Sequence, residues 1–136
     1  MKAPLLLSRE VKVRHIMVEN VVTARGNSSL ESAIRALYDK HIGSIVITNE
    51  EGKCEGIFTA RDALRVAIQR VPLNTPLRAI MTKNPITVRE DASYGQAISI
   101  IASHGIRHLP VVDERDLLVG VLSIRSFLDE VVGIAR

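Results

Sequence analysis

The chain has 136 residues, a formal net charge of +3 and 46% apolar residues, but only 3% aromatic residues. This length suits one compact domain, and the composition predicts a core of Ile, Leu, Val and Ala. The positive charge forms no basic run of five or more residues, which argues against a nucleic-acid-binding protein. The apolar start, MKAPLLLSREV, is too short for a signal peptide or a membrane span, so we expect a soluble cytoplasmic protein without a membrane partner.

The sequence contains an internal duplication with a period of 64 residues. When the two halves are aligned without a gap, 14 of the 53 pairs from Arg14/Arg78 to Val66/Glu130 are identical. A fixed period is typical of repeated supersecondary units. We therefore divide the chain into an N-terminal arm, a first repeat, a linker and a second repeat. Their bounds are 1–12, 13–70, 71–76 and 77–132.

The first half of repeat 1 is predicted to form a short strand and a helix. The strand is Val21–Thr23, and Ser28 with Glu31 fits a capping box for the helix that follows. The spacing of the apolar residues predicts one buried stripe along this helix, and Gly43 is expected to end it. The stripe consists of Leu30, Ala33, Ile34, Leu37 and His41.

The second half of repeat 1 is predicted to form a hairpin and a second helix. SIVIT, residues 44–48, is typical of a buried strand, and an acidic turn returns the chain into a strand over Lys53–Phe58. A helix from Thr59 is expected to carry Leu64 and Ile68 on its inner face.

The second repeat predicts the same order of elements. Its short strand is Ile86–Val88, Asp91 is expected to cap the helix, and Gly105 closes it. Pro110 has no backbone N–H, so its strand is expected at a sheet edge or paired on the side away from that residue. A last helix is predicted from Ser123 to about Val132.

One phrase of the sequence carries the strongest chemical signal. GIFTARD, residues 56–62, returns 64 residues later as GVLSIRS, where Ser126 replaces Asp62. A helix that begins at Thr59 presents free amides and the positive end of its dipole to an anion. The Asp62 carboxylate only accepts hydrogen bonds, so it suits a vicinal diol such as that of a ribose. The spacing of Thr59 and Asp62 also fits a purely structural capping box.

These features together resemble a cystathionine-β-synthase (CBS) domain pair. The resemblance covers residues 13–132 and includes the Ile-Met motif, the segment IRHLPVVD and both copies of the GIFTARD phrase. It implies an α/β fold in which two tandem β-α-β-β-α repeats pack sheet to sheet with pseudo-two-fold symmetry. It also implies that clefts between the repeats bind adenosine nucleotides.

The resemblance implies where a nucleotide binds. In the family, a basic residue from one repeat reaches the phosphate of a ligand whose ribose is held by the Asp of the other repeat. Here Arg107 and His108 match the basic position, and Arg125 matches a position that adds a further cation. The expected ligand-binding residues are Ile57, Thr59, Asp62, Ile86, Thr87, Arg107, His108 and Arg125.

The second cleft that the resemblance implies lacks these groups. It combines Ser126 with Gly43 and Ser44, so both the diol acceptor and the basic residue are absent. We therefore expect one good site per chain, with AMP, ADP or ATP as its ligand.

The sequence contains no enzyme signature and no metal site. It has neither a nucleophile elbow nor a GxxxxGK[ST] phosphate loop. His104 and His108 are four residues apart, but Gly105 interrupts the helix that a metal-binding pair at this spacing needs. We therefore predict a protein that is not an enzyme and requires no metal.

The predicted function is that of a regulatory module that senses an adenine nucleotide. We expect no effector domain in the chain, so the module acts on an unknown protein target or on its own assembly. Family resemblance further implies a homodimer that pairs through helical faces. Three alternatives remain open: a ligand-independent dimeric adaptor, a nucleic-acid-binding protein, and a sensor of S-adenosylmethionine.

Overall fold

The computed structural model describes residues 11–123 and divides the chain into two compact units. Val21–Pro85 forms the central unit, and the described residues on either side of it, 11–20 and 86–123, form the split unit. Arg125, Ser126 and almost all of the predicted last helix lie outside the described residues, as does most of the predicted arm. Within residues 11–123, no helix has the length and apolar character needed to cross a membrane.

The central unit is a four-stranded sheet with two helices. Its elements are β1 (Thr23–Ala24), α1 (Leu30–Lys40), β2 (Ser44–Thr48), β3 (Cys54–Thr59), α2 (Ala60–Ile68) and β4 (Thr82–Lys83). The strand order is β1-β2-β3-β4, in which β1 is parallel to β2 and the other neighbours are antiparallel. The buried core consists of Leu30, Ala33, Leu37, Ile45, Ile47, Phe58, Val66 and Leu77.

The split unit is built in the same way around a three-stranded sheet. Its elements are a 3-10 turn (Val13–His15), β5 (Val88–Arg89), α3 (Tyr94–His104), β6 (His108–Val112) and β7 (Leu118–Ser123). β6 lies between β5, to which it is parallel, and β7, to which it is antiparallel. The buried core consists of Val13, Val88, Tyr94, Ala97, Leu109, Val111 and Leu122.

The two repeats exchange their opening segments. Leu77–Lys83, at the start of the second repeat, belongs to the central unit, where Leu77 is fully buried. The equivalent start of the first repeat belongs to the split unit, where Val13 is fully buried and Val18 forms a bridge to Val121. The compact units therefore differ from the repeats that the sequence period defines.

Two glycines make room for the exchanged segments. Met81 lies against Gly56 in β3, where an added Cβ would be 2.8 Å from the Met81 Cγ and 3.0 Å from the Thr82 oxygen. Met17 lies against Gly120 in β7 in the same way, with 2.9 Å between an added Cβ and the Met17 Cγ. These distances are too short for real Cβ contacts, so a side chain at either position would displace the segment. The packing of the Ile-Met motifs therefore explains both glycines.

The helix caps lie one and two residues later than predicted. Ser29, not Ser28, caps α1, and its Oγ accepts an amide hydrogen bond from the first turn at 3.1 Å. Ser93, not Asp91, caps α3 and forms a complete capping box. A capping residue directly precedes the first helical residue, and both helices begin later than the sequence pattern indicated.

The two long helices end in left-handed residues. His41 caps α1 with a φ of 53°, so the helix ends before Gly43 and His41 is not part of its apolar stripe. Gly105, with a φ of 60°, closes α3 as predicted. His41 therefore provides the left-handed cap that was expected at Gly43. Directly before β2, the Gly43 carbonyl accepts a hydrogen bond from the Ala60 amide.

α2 turns the opposite face to the core from the one predicted. Val66 is buried and Ala63 packs against the core, whereas Leu64 is 68% exposed and Ile68 is 82% exposed. The prediction was wrong because an apolar stripe shows which face of a helix avoids water, but not what covers that face. Leu64 and Ile68 therefore form an apolar surface.

The short strands and the proline strand also differ from the prediction. β1 and β5 begin two positions later than the expected starts at Val21 and Ile86. β6 is a central strand, so the edge alternative for Pro110 is wrong, whereas pairing with β7 on the side away from the proline nitrogen agrees with the other alternative. Pro110 aligns with Val46, whose amide donates to the Val22 carbonyl at 3.2 Å in the central unit. Proline has no N–H, so the split unit lacks the equivalent bond to the Ile86 carbonyl.

Candidate functional site

Thr59 and Asp62 form a complete capping box at the start of α2. The Thr59 Oγ1 accepts a hydrogen bond from the Asp62 N–H at 3.2 Å. The Asp62 Oδ2 accepts two, from the Thr59 N–H at 2.9 Å and from the Thr59 hydroxyl at 3.0 Å. The capping box that the spacing of Thr59 and Asp62 predicted is therefore confirmed. It fixes the Asp62 carboxylate at the end of β3.

Most amides in the first turn of α2 already have partners. The Ala60 N–H donates to the Gly43 carbonyl at 2.9 Å, and the Asp62 N–H donates to Thr59. The Arg61 amide is the one for which residues 11–123 provide no acceptor. The expected set of free amides for an anion is therefore reduced to a single donor.

One oxygen of Asp62 keeps capacity for a further hydrogen bond. Its Oδ1 lies 3.5 Å from the Arg65 Nη2, which is too long for a strong hydrogen bond. The Asp62 side chain is 18% exposed, so this oxygen is shielded but still reachable. Arg65 also donates to the Ile80 carbonyl at 3.3 Å, which holds it in place. Arg65 was not among the predicted site residues, although its spacing of three residues from Asp62 on a helix indicates a pair.

The remaining described residues of the predicted site lie at one end of the split-unit sheet. Ile86 and Thr87 directly precede β5, whereas Arg107 directly precedes β6 and His108 is its first residue. β5 and β6 are parallel, so their N-terminal ends lie side by side at the same end of the sheet. Pro110 leaves the Ile86 carbonyl at this end without a backbone donor in the described chain.

His108 is half-buried, and its protonation follows from its surroundings. Burial lowers the pKa of His108 from the ordinary 6.5, and the positive charge of Arg107 lowers this pKa further. At neutral pH the imidazole is therefore uncharged and offers a ligand a hydrogen bond rather than a charge. Arg107 is exposed and carries the positive charge at this end of the sheet.

The predicted ligand residues are thus divided between the two units. Ile57, Thr59 and Asp62 belong to β3 and α2 of the central unit, where Ile57 is 7% exposed. The split unit holds Ile86, Thr87, Arg107 and His108, and Arg125 lies outside the described residues. Of the expected second cleft, Gly43 and Ser44 lie at the start of β2 beside Thr59.

Cys54 does not provide a reactive group. Burial raises the pKa of the thiol to about 11, and the Sγ donates to the Gly56 carbonyl at 3.7 Å. A thiol that stays protonated is a poor nucleophile and a poor metal ligand. In the part of the chain that the structure describes, no three His, Cys, Asp or Glu side chains are grouped so that they hold a metal ion.

Comparison with protein families identifies the chain. The sequence model of the CBS-domain family matches residues 13–69 and, independently, residues 77–133. The chain is a tandem CBS-domain pair. The expected family is therefore confirmed by a match that covers most of the chain.

Solved CBS pairs share this fold. The CBS domain pair of protein MJ0100, in complex with 5'-methylthioadenosine and S-adenosyl-L-methionine, has a TM-score of 0.83 and 28% identity, covering 90% of this chain and 97% of that one. The CBS domain protein PAE2072 from Pyrobaculum aerophilum, complexed with AMP, has a TM-score of 0.80 and 28% identity, covering 85% and 89%. These similarities confirm the expected α/β fold of tandem CBS repeats.

A curated relative is similar to this chain over most of its length, and its name gives no activity. The "uncharacterized 17.7 kDa protein" of Acidianus ambivalens is 31% identical over 115 residues, which cover 85% of this chain and 70% of the relative. In a second curated relative the matched region is 62% of the protein's length. A CBS pair of this kind therefore also occurs as part of longer proteins.

Proposed function

We propose that this CBS pair is a non-enzymatic regulatory module that binds AMP, ADP or ATP. The observation that carries the proposal is the Asp62 carboxylate, which the capping box with Thr59 fixes while one oxygen stays within reach of a ligand. A carboxylate held in this way suits the two hydroxyls of a ribose. The AMP complex of the Pyrobaculum aerophilum CBS protein supports an adenosine ligand.

The proposal also assigns a role to each ligand residue that the family resemblance implies in the split unit. Arg107 binds the phosphate because its guanidinium is charged and exposed, and neutral His108 donates one hydrogen bond. The Ile86 carbonyl, which lacks a donor from Pro110, accepts a hydrogen bond from the adenine amino group. Ile57 and Thr87 line the site.

The number of cations favours AMP among the three nucleotides. Arg107 is the charged group that the proposal places on the phosphate, and the backbone of the first turn of α2 adds one unpaired amide, that of Arg61. A ligand with more phosphates needs more positive charge, which Arg125 supplies in the proposal. Because Gly43 and Ser44 offer no cation, we propose one nucleotide per chain.

A second candidate ligand is S-adenosylmethionine or a related thioadenosine. The complex of the MJ0100 CBS pair with 5'-methylthioadenosine and S-adenosyl-L-methionine favours this class. Such ligands share the ribose diol, so they also require Asp62. They carry no phosphate, so they do not benefit from Arg107, and a positive sulfonium is repelled by it.

The proposal includes a homodimer as the form that transmits the signal. The apolar side chains of Tyr38, Leu64 and Ile68 are exposed on α1 and α2, and a second copy of the chain is the partner we propose for them. The bound nucleotide then acts on this assembly or on a further protein target. We also propose a cytoplasmic location, because a free cysteine suits a reducing compartment.

Isothermal titration calorimetry of AMP, ADP, ATP and S-adenosylmethionine tests the proposal. The test variant is Asp62→Asn, which removes the charge but keeps an oxygen that accepts from Thr59. The matched control is Ser29→Ala, which removes the cap of α1 in the same unit without touching the proposed site. We expect AMP to bind the wild type once per chain and at least about tenfold more weakly to Asp62→Asn, which corresponds to one lost charged hydrogen bond.

The outcomes separate the alternatives. Binding that is weakened in Asp62→Asn but unchanged in Ser29→Ala supports the proposed site. Tighter binding of S-adenosylmethionine than of any nucleotide transfers the site to the thioadenosine class. No binding of any ligand to the wild type overturns the sensor and favours the ligand-independent adaptor.

A further inference from the structure

Each unit contains a polar cavity that the nucleotide proposal does not use. The cavity of the central unit has a volume of about 470 Å³, and that of the split unit about 430 Å³. The internal repeat relates them, because Arg25, Glu50 and Arg78 line the first and Arg89, Glu114 and Arg14 line the second. All three pairs are identical residues at the 64-residue offset. The two cavities are therefore equivalent positions in the fold.

The central cavity lies at the opposite end of the sheet from Asp62. Thr48 and Glu55 line it, and they stand where β2 ends and β3 begins. Asp62 follows the other end of β3, where Thr59 pairs with Ser44. A five-residue strand at about 3.3 Å per residue places roughly 16 Å between the two ends. A ligand in this cavity is therefore distinct from a nucleotide bound by Asp62.

Arg78 lies directly against Gly26 in this cavity. Its backbone N–H donates to the Gly26 carbonyl at 2.8 Å. Its guanidinium lies over Gly26, where an added Cβ would be 2.9 Å from the Nη2 and 3.1 Å from the Nε. Gly26 is buried, so the absence of a side chain there provides the space that the guanidinium occupies. The split unit has Glu90 in place of this glycine.

The arginines of the central cavity are not neutralised by its carboxylates. Within residues 11–123, neither Arg25 nor Arg78 has a carboxylate within 4.0 Å, although Glu50 and Glu55 line the same cavity. Their guanidinium N–H groups are therefore available to a ligand. Two guanidinium groups at one cavity provide the planar, forked donors that phosphate oxygens accept best.

We propose that the central cavity is a binding site for a small phosphorylated molecule. Arg25 and Arg78 hold the phosphate, and the amides of Asn27 and Asn49 lie at the same cavity as further polar contacts. Glu50 and Glu55 favour hydroxyl groups on the remainder of the ligand and repel a long polyanion, so a nucleic acid is disfavoured. Both arginines are exposed, and we expect a dissociation constant on the order of 1 mM for inorganic phosphate.

The split-unit cavity provides an internal comparison. Its arginines are Arg14, Arg89 and Arg115, but Glu90, Asp91, Asp113 and Glu114 also line it. Asp91 lies 3.9 Å from the Arg89 Nε and so engages one of the guanidinium groups. With four carboxylates and three arginines, the side chains that line this cavity have a negative net charge. We therefore expect phosphate to bind in the central unit and not in the split unit.

The test is an NMR titration of the full ¹⁵N-labelled chain, observing the arginine Nε–H and backbone amide signals. The probes are inorganic phosphate, ribose 5-phosphate and, at matched ionic strength, sodium chloride. Arg78→Gln replaces one charged guanidinium by a neutral amide. Gly26→Ala displaces the same guanidinium without a change of charge. Arg14→Gln is the matched control in the split unit, and Asp62→Asn separates this site from the nucleotide proposal.

We expect saturable shifts at Arg25, Gly26 and Arg78 with phosphate, and about tenfold weaker binding in Arg78→Gln and Gly26→Ala. In Arg14→Gln and Asp62→Asn, the phosphate-induced shifts at Arg25 and Arg78 should match those of the wild type. Tighter binding of ribose 5-phosphate assigns the site to sugar phosphates, and equal binding assigns it to free phosphate. Equal shifts with sodium chloride, or equal weakening in Arg14→Gln, would overturn the proposal.

Discussion

The fold changes the protonation of His108 in a way that makes stability depend on pH. Burial is the larger cause and Arg107 the smaller, and both lower the pKa of the imidazole below 6.5. The folded chain therefore binds fewer protons than the unfolded chain when the pH falls below this value. The stability from neutral His108 is fully present above about pH 6.5 and is lost as the pH falls toward the folded pKa.

We predict that His108→Gln flattens this pH dependence. A glutamine amide does not titrate, so the free energy of unfolding should fall less between about pH 7.5 and about pH 5.5 than in the wild type. Urea unfolding at the two pH values measures the difference. Arg107→Gln is the control, and it should keep most of the wild-type slope because burial is the larger cause. The same slope in His108→Gln as in the wild type contradicts the prediction.

At the residue scale, the sequence predicts which groups suit a ligand but not which of their atoms are already engaged. The spacing of Thr59 and Asp62 was sufficient to predict the capping box. The bond from the Ala60 amide to the Gly43 carbonyl was not predictable, because it depends on the register between β2 and β3. The neutral state of His108 likewise depends on burial, which spacing does not reveal.

At the scale of elements, the exchange of opening segments explains why each repeat has a glycine in its last strand and a methionine in its opening segment. A period of 64 residues shows that Gly56 and Gly120 are equivalent, as are Met17 and Met81. The same period results whether a segment packs in its own repeat or in the other one, so the exchange was not predictable. In the fold, Met81 contacts Gly56 and Met17 contacts Gly120, which ties each sheet to a distant part of the chain.

We predict that Gly56→Ala destabilises the protein by about 1–3 kcal/mol, the usual cost of an overpacked core. The added methyl group meets the Met81 side chain and the Thr82 backbone oxygen, so it forces the exchanged segment away from β3. Gly95→Ala is the control, since its nearest neighbour would be 4.0 Å away in α3, and we expect it to stabilise by about 0.5–1 kcal/mol. Urea unfolding measures both. Equal stability of Gly56→Ala and the wild type contradicts the proposed role of the glycine.

The helix caps and the orientation of α2 also could not be predicted fully from the sequence. Serine near a helix start predicts a cap, but Ser28 and Ser29 are equally good residues, and only the first helical residue decides between them. Leu64 and Ile68 form a clear apolar stripe, yet the smaller Ala63 and Val66 face the core. Periodicity therefore predicts each helix, whereas its packing face follows from contacts that are distant in sequence.

At the scale of the whole molecule, three large apolar side chains on the helices of the central unit are exposed, and they carry the homodimer proposal. Tyr38 on α1 is 79% exposed, and Leu64 and Ile68 on α2 are 68% and 82% exposed. The two helices contact each other, and the homodimer proposal uses these three side chains as one helical surface. Large exposed apolar surfaces mark interaction sites, and most soluble oligomers are two-fold symmetric dimers of one chain.

We predict that Ile68→Glu dissociates the proposed homodimer into monomers. A carboxylate at a two-fold interface loses its hydration and meets a second copy of itself, so the dimer dissociation constant should rise about 30-fold or more. Sedimentation equilibrium measures this constant directly. Leu73→Glu is the control, because Leu73 is also apolar and 54% exposed but lies outside α1 and α2. If Leu73→Glu dissociates the dimer as strongly as Ile68→Glu, the interface does not lie on the helices. If the wild type is a monomer at high concentration, the homodimer proposal is wrong and the helical surface binds a different protein. A nucleotide would then act through that partner and not through self-assembly.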